Sequence, residues 1–262
     1  MDYQLSGIYT YPIKSLGGIA LSQAKLGKKG LEHDRRWMLA DEDGLFMTQR
    51  TNAKLALFQA TFVENGLKVS FEGESIIIPF EQQGKNALMQ VEIWGEKMLA
   101  TKENETINTW FSAHLGKKVY LVRDAQSRYT THHADAPLDF PDACPYLVVG
   151  QNALNYLNEK LPSPIQINRF RPNFVFTGGE PHIEDNWLQF QIGNSTFQSV
   201  KSCARCNVIT IDQTTGITGK EPTKTLSTYR QWEQKIWFGR YVKLLKSEGF
   251  EVKVGDALIV DN

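Results

Sequence analysis

Cys203 and Cys206 are separated by Ala204 and Arg205, and thiols at this spacing suit soft metals or redox exchange. Three chemistries fit. Half of a tetrahedral zinc site would need two more ligands, for which Cys144 and the His132-His133 pair are the candidates. A dithiol switch belongs at a helix start, which lowers thiol pKa; here the flanking runs read as strands, with Arg205 as a partial substitute. A single thiolate holding a large metal cofactor needs one cysteine, plus cationic neighbours for the cofactor's anionic arm. Two packed, unreactive thiols are the plain alternative. Cys144, within Asp142-Ala143-Cys144-Pro145, is read that way, as a buried small hydrophobe.

Three distant segments hold basic or polar residues beside predicted strand ends. They are Tyr11-Pro12-Ile13-Lys14-Ser15, His33-Asp34-Arg35-Arg36-Trp37 and Arg169-Phe170-Arg171-Pro172-Asn173. Arginine offers a planar fork to a phosphate, lysine a point charge and serine a hydroxyl donor. Any one segment alone reads equally as surface charge, and Asp34 beside Arg35 reads equally as a structural ion pair.

The elements that must position these groups are mostly strands. Gly7–Ile13, Arg36–Ala40, Leu45–Thr48, Leu57–Val63, Leu67–Phe71, Ser75–Ile78 and Gln90–Gly95 are short apolar or β-branched runs. Asp43-Gly44, Asn65-Gly66 and Glu72-Gly73 supply turns between them. Ile107, Trp110, Phe111 and Leu115 recur at helical spacing before Gly116, which predicts a helix over 104–115. Residues 124–141 are polar and aperiodic, a linker or a functional loop, and a boundary is placed near this helix and loop. Beyond it, 151–161 reads as a helix. Residues 173–177, 188–192, 196–200 and 207–212 read as strands, Pro222 opens a short helix, and 252–260 alternates around a turn.

Bulk composition narrows the function classes. The 262 residues carry a formal net charge of +0 and are 41% apolar, which describes a globular chain with no bulk attraction for nucleic acid or anionic membrane. No apolar run approaches a membrane span, and Met1-Asp2-Tyr3-Gln4-Leu5-Ser6 is not a secretory signal. Three cysteines are too few for a disulfide framework, so a cytoplasmic location is expected.

Cys203-Ala204-Arg205-Cys206 ahead of Val208-Ile209-Thr210-Ile211-Asp212, then Thr215-Gly216 and Tyr229-Arg230, resembles the MOSC domain, named for the C-terminal domain of molybdenum cofactor sulfurase. Tyr11 to Ser15, Asp34 to Trp37 and Thr48-Gln49-Arg50 resemble the N-terminal β-barrel domain that precedes it, and Phe170 to Asn173 and Val254-Gly255-Asp256 fit as well. By this pattern the chain is similar to the mitochondrial amidoxime reducing components and to bacterial proteins that detoxify N-hydroxylated purine bases.

The resemblance implies a mainly β fold with α additions: an N-terminal MOSC-type β-barrel domain, 1–118, packed on a β-barrel MOSC domain with short helices, 119–262. It also implies the molybdenum cofactor (Mo-molybdopterin). Carried over, Cys206 is the metal ligand and Cys203 only a neighbour. Lys14, Ser15, Arg35, Arg171, Asn173, Ala204 and Arg205 contact the pterin and its phosphate. Ala204 stands where some relatives have serine, which leaves only backbone there. Asp142 is a second catalytic candidate near the metal.

The implied activity is that of a molybdenum-dependent oxidoreductase that reduces N-hydroxylated small molecules by abstracting their oxygen atom. The alternative is a cofactor or sulfur carrier without turnover. Pyridoxal phosphate binding is a further family-level association. No iron–sulfur cysteine set is present, so electrons are expected from a separate protein of ferredoxin, flavodoxin or flavin reductase type.

Overall fold

The computed structural model describes residues 2–82, 87–124 and 138–260. Seven strands close a barrel. In order around it they are Tyr146–Gly150, Phe174–Thr177, Tyr3–Thr10, Ala257–Val260, Gln189–Ile192, Ser195–Arg205 and Lys235–Ser247, and the last pairs back onto the first. All neighbours are antiparallel except Tyr146–Gly150 with Phe174–Thr177. Closure leaves the barrel no free edge.

The two longest strands, Ser195–Arg205 and Lys235–Ser247, pair through three register irregularities, the last between Ser202 and Ala204. Such bulges bend and re-aim a strand, and this one falls at Cys203. Gly239 has φ 80°, and a Cβ there would lie 2.7 Å from Val149 Cγ2 and 2.9 Å from Val148 O. Glycine alone lets the closing strand approach so tightly. Inside, Leu5, Ile8, Phe174, Phe176, Phe190, Phe197 and Val242 form a sealed core, each large side chain contributing roughly 1.5–3 kcal/mol by burial.

The N-terminal half is built from a meander, Gln59–Val63, Gly66–Phe71 and Glu74–Pro79, and a four-stranded sheet. The sheet runs in the order Trp37–Ala40, Tyr120–Asp124, Glu96–Lys102 and Leu88–Ile93. They enclose a core that includes Leu39, Phe58, Val69 and Phe111. The helix Glu105–Leu115 covers it with Ile107 and Phe111. Asn104 Oδ1 accepts from Ile107 N at 3.0 Å, a polar cap, and Gly116 ends the helix at φ 65°, the left-handed stop expected from the sequence.

The division expected after residue 118 is crossed in both directions. Tyr3–Thr10 belongs to the barrel otherwise made by the C-terminal half, while Tyr120–Asp124 pairs within the N-terminal sheet. Gln23–Gly27 also pairs with Glu251–Lys253.

Residues 207–212 are not the expected strand. The strand ends at Arg205, and Asn207–Thr210 is a single 3-10 turn. Thr210 Oγ1 donates to Asn207 O at 2.7 Å, a local bond that competes with a ladder, and Ile209 packs into the core with Phe170 and Phe238. Tertiary packing thus overrides the β-branched composition. No helix among the described residues is long and apolar enough to cross a membrane.

Candidate functional site

One cleft of ≈ 430 Å³ is lined by every site residue singled out in the sequence: Lys14, Ser15, Arg35, Asp142, Arg171, Asn173, Ala204, Arg205 and Cys206. They reach it from five stretches of chain. Lys14 and Ser15 follow the first strand, and Lys14 N donates to Trp37 O at 2.8 Å, which ties that turn to the segment carrying Arg35. Arg171 ends the 3-10 turn Ile167–Phe170. Arg205 closes the long strand, and Cys206 follows it. Ser15, Arg35 and Arg171 are all left-handed, at φ 69°, 49° and 53°. Three non-glycine residues in that region around one cleft are a concentration of backbone strain typical of functional sites.

The cations differ in how they are compensated. Lys14 Nζ lies 2.5 Å from Asp142 Oδ1 and 2.8 Å from Phe140 O. Arg35 pairs with the buried Asp34 carboxylate and donates to Asn173 Oδ1 and Arg171 O, both at 3.3 Å. Arg171 donates to Leu16 O at 2.7 Å and packs 4.2 Å from the Tyr11 ring, which Arg35 also touches at 4.4 Å. Arg205 donates to Phe170 O at 2.7 Å and Cys203 Sγ at 2.8 Å, while its Nε is buried with no hydrogen-bond partner among the described residues. Neither Arg171 nor Arg205 has a carboxylate partner among the described residues. Burial, reinforced by Arg35, pulls the Arg171 guanidinium down to about 10.

Asp142 is enclosed by the cleft walls yet half-exposed to its interior. Burial alone would raise its carboxyl. The Lys14 ammonium and the Trp94 indole, whose Nε1 donates to Asp142 Oδ1 at 2.9 Å, outweigh this and hold it well below the usual carboxylate range. Asn173 is buried and its amide is engaged: Oδ1 accepts from Arg35 and from Leu147 N at 3.2 Å, and Nδ2 donates to Tyr9 O at 3.2 Å. It locks Arg35 in place, its Oδ1 is fully used, and one Nδ2–H remains for a ligand.

The three sulfurs separate cleanly. All are free thiols. Cys203 is 1% exposed and Cys144 is buried, its thiol pushed up to about 12 by desolvation. Cys206 is only half-buried and lines the cleft. No thioredoxin-like helix follows the pair, only one 3-10 turn. No cluster of three or more metal-ligating side chains occurs among the described residues; His132 and His133 lie outside them.

Sequence reasoning overlooked several neighbours. Arg50 lines the cleft, and its motif, Thr48-Gln49-Arg50, was visible without being assigned a role. Tyr241, which lines the cleft from the strand paired with Lys201, follows from strand pairing that no local pattern reveals. Tyr11 and Trp94 read only as members of strand-like runs, and nothing in the sequence pattern singled out Trp237.

The MOSC N-terminal beta barrel domain matches residues 3–118, and the MOSC domain matches residues 135–259. The chain is 30% identical to a molybdenum cofactor sulfurase of Oryza sativa subsp. japonica over 91% of its own length, and spans 32% of that protein. It is 29% identical to mitochondrial amidoxime reducing component 2 of Rattus norvegicus over 96% of its length, spanning 81% of the relative. Among solved structures, the YuaD protein of Bacillus subtilis aligns over 98% of this chain and 94% of its own, with 8% identity and a TM-score of 0.40.

Proposed function

The chain belongs to the MOSC-domain proteins, with the N-terminal beta barrel domain ahead of the MOSC domain, and we propose that it binds the molybdenum cofactor and reduces N-hydroxylated compounds. One observation carries this reading: Arg171 and Arg205, two enclosed guanidiniums without a carboxylate among the described residues, share a cleft with the half-open thiol of Cys206. An uncompensated buried charge is costly unless a counter-charge arrives. A dianionic phosphate arm beside a soft thiolate ligand supplies what this donor set lacks.

In this reading Cys206 Sγ ligates the metal. Arg171 and Arg205 neutralise the anionic arm, with Arg205 Nε–H as the unspent donor. Arg35 and Lys14, already paired with Asp34 and Asp142, set the rim of that pocket. Ser15 adds a hydroxyl and Ala204 only its backbone. Asp142, kept ionised by Lys14 and Trp94, is an acceptor that orients substrate rather than a proton donor. The bound cofactor would supply a two-electron centre for oxygen-atom abstraction. Electrons would come from a separate donor protein.

A second reading, cofactor or sulfur carriage without turnover, draws on the sulfurase likeness, although the chain spans only about a third of that relative. Metal and pterin content, measured on protein made in a host that synthesises the cofactor, tests both. Zinc alone would end both. Molybdenum with pterin, followed by amidoxime reduction with an artificial donor, selects the reductase; molybdenum without reduction selects the carrier.

A further inference from the structure

Trp94 and Trp237 line the same cleft, one from each half of the molecule. Trp94 and Gly95 form the two-residue loop between Leu88–Ile93 and Glu96–Lys102, where Ile93 pairs with Glu96. Their φ values are 52° and 83°. Two successive left-handed residues make a type I′ turn, whose first position favours Asn, Asp or Gly. A bulky aromatic there is strained, and at 45% exposed Trp94 recovers little through burial. It is nonetheless held firmly. Its Nε1 donates to Asp142, Phe46 packs edge-on at 4.6 Å, and the Arg50 guanidinium lies 4.3 Å from the ring centroid.

Trp237 is equally fixed. It sits directly across the strand pair from Ala204, two residues before Cys206. Its ring stacks on Trp232 at 5.4 Å and 14°, and its Nε1 donates to Trp232 O at 3.1 Å. Lys201 and Lys235 line the cleft nearby and have no carboxylate partner among the described residues. A cationic ligand would be repelled; a flat uncharged ring would not.

We propose that Trp94 and Trp237 form a ring-binding subsite that selects planar, uncharged aromatic N-hydroxylated compounds over aliphatic ones. The reacting group rests on the reductase reading, whereas recognition of the ring does not. Preorganised aromatic walls bind a stacked ring without ordering cost.

The test uses the protein purified from a cofactor-synthesising host, with phenyl amidoxime and methyl amidoxime as probes. Binding is titrated without reductant, and the KM ratio of the two probes is measured with an artificial donor. The unaltered protein is expected to prefer the phenyl probe by about fivefold or more, in line with aromatic-pair energies. Trp237→Leu is expected to bring this preference below about twofold, and Trp237→Phe to restore most of it. Trp94→Asn suits the turn, so it is expected to raise the melting temperature while the phenyl preference falls, a combination that a merely structural tryptophan would not produce.

A preference unchanged in Trp237→Leu and Trp94→Asn, or absent from the unaltered protein, overturns the subsite. Phenyl preference in binding without reduction of either probe leaves the subsite standing and removes the reductase reading. Reduction of both probes without preference does the reverse.

Discussion

Arg205 Nη1 donates to Cys203 Sγ at 2.8 Å, so the first cysteine of the pair serves the arginine between them. The second, Cys206, is left open to the cleft. The two thiols therefore answer differently to the same substitution. Cys206→Ser is expected to lose nearly all bound molybdenum, because a hydroxyl is a poor soft-metal ligand. Cys203→Ser is expected to keep most of it, because a hydroxyl still accepts from Arg205. Metal content per chain decides; equal loss in both would show the ligand assignment to be wrong.

Arg171 is enclosed without a carboxylate among the described residues and its charge is destabilised by burial. Arg171→Met is expected to lower cofactor retention by roughly tenfold or more, and more than Arg240→Ala does. The cofactor-free form of Arg171→Met is expected to melt no lower than the unaltered cofactor-free protein, since the variant removes an unpaired charge. Pterin retention after gel filtration, with melting curves of both forms, checks the two signs; unchanged retention would count against the anion pocket.

Glu184 is fully buried, with Oε1 accepting from Gly150 N at 3.1 Å and Oε2 unpartnered among the described residues. Burial pushes its carboxyl up to about 7 despite the Gly150 hydrogen bond. The unfolded group ionises near 4.3, so between about pH 4.5 and 7 the folded state holds a proton that the unfolded state has released. Stability therefore falls as pH rises through this window, by about 3 kcal/mol from this group. Glu184→Gln is expected to flatten that fall. Denaturation midpoints at pH 5 and 7.5 check it; an identical slope in the variant would refute it.

Gly239 combines φ 80° with a Cβ position 2.7 Å from Val149 Cγ2, at the point where the barrel closes. Gly239→Ala is expected to cost about 2 kcal/mol or more. A urea midpoint within error of the unaltered protein would contradict this.

What the sequence made legible was local or chemical. Gly116 marked the end of the helix because a C-terminal stop is decided within a turn. Lys14, Arg35, Arg171 and Cys206 were recognisable as ligand-type residues, and the fold brings them to one cleft. Pairing between distant segments was hidden. Nothing near Tyr3–Thr10 announces that it slots between Phe174–Thr177 and Ala257–Val260. Residues 207–212 misled because β-branched side chains favour a strand only where a partner strand is available, and here the core claims Ile209 instead. Trp94 escaped notice because Gln90–Gly95 reads as one strand, and the left-handed backbone that ends it shows only in three dimensions.

The borrowed first strand has a practical corollary. A fragment severed after residue 118 would carry a sheet missing one stave, exposing a seam of unsatisfied amides along Phe174–Thr177 and Ala257–Val260. Such a fragment should clump rather than fold, and adding a synthetic peptide spanning residues 2–11 should rescue it.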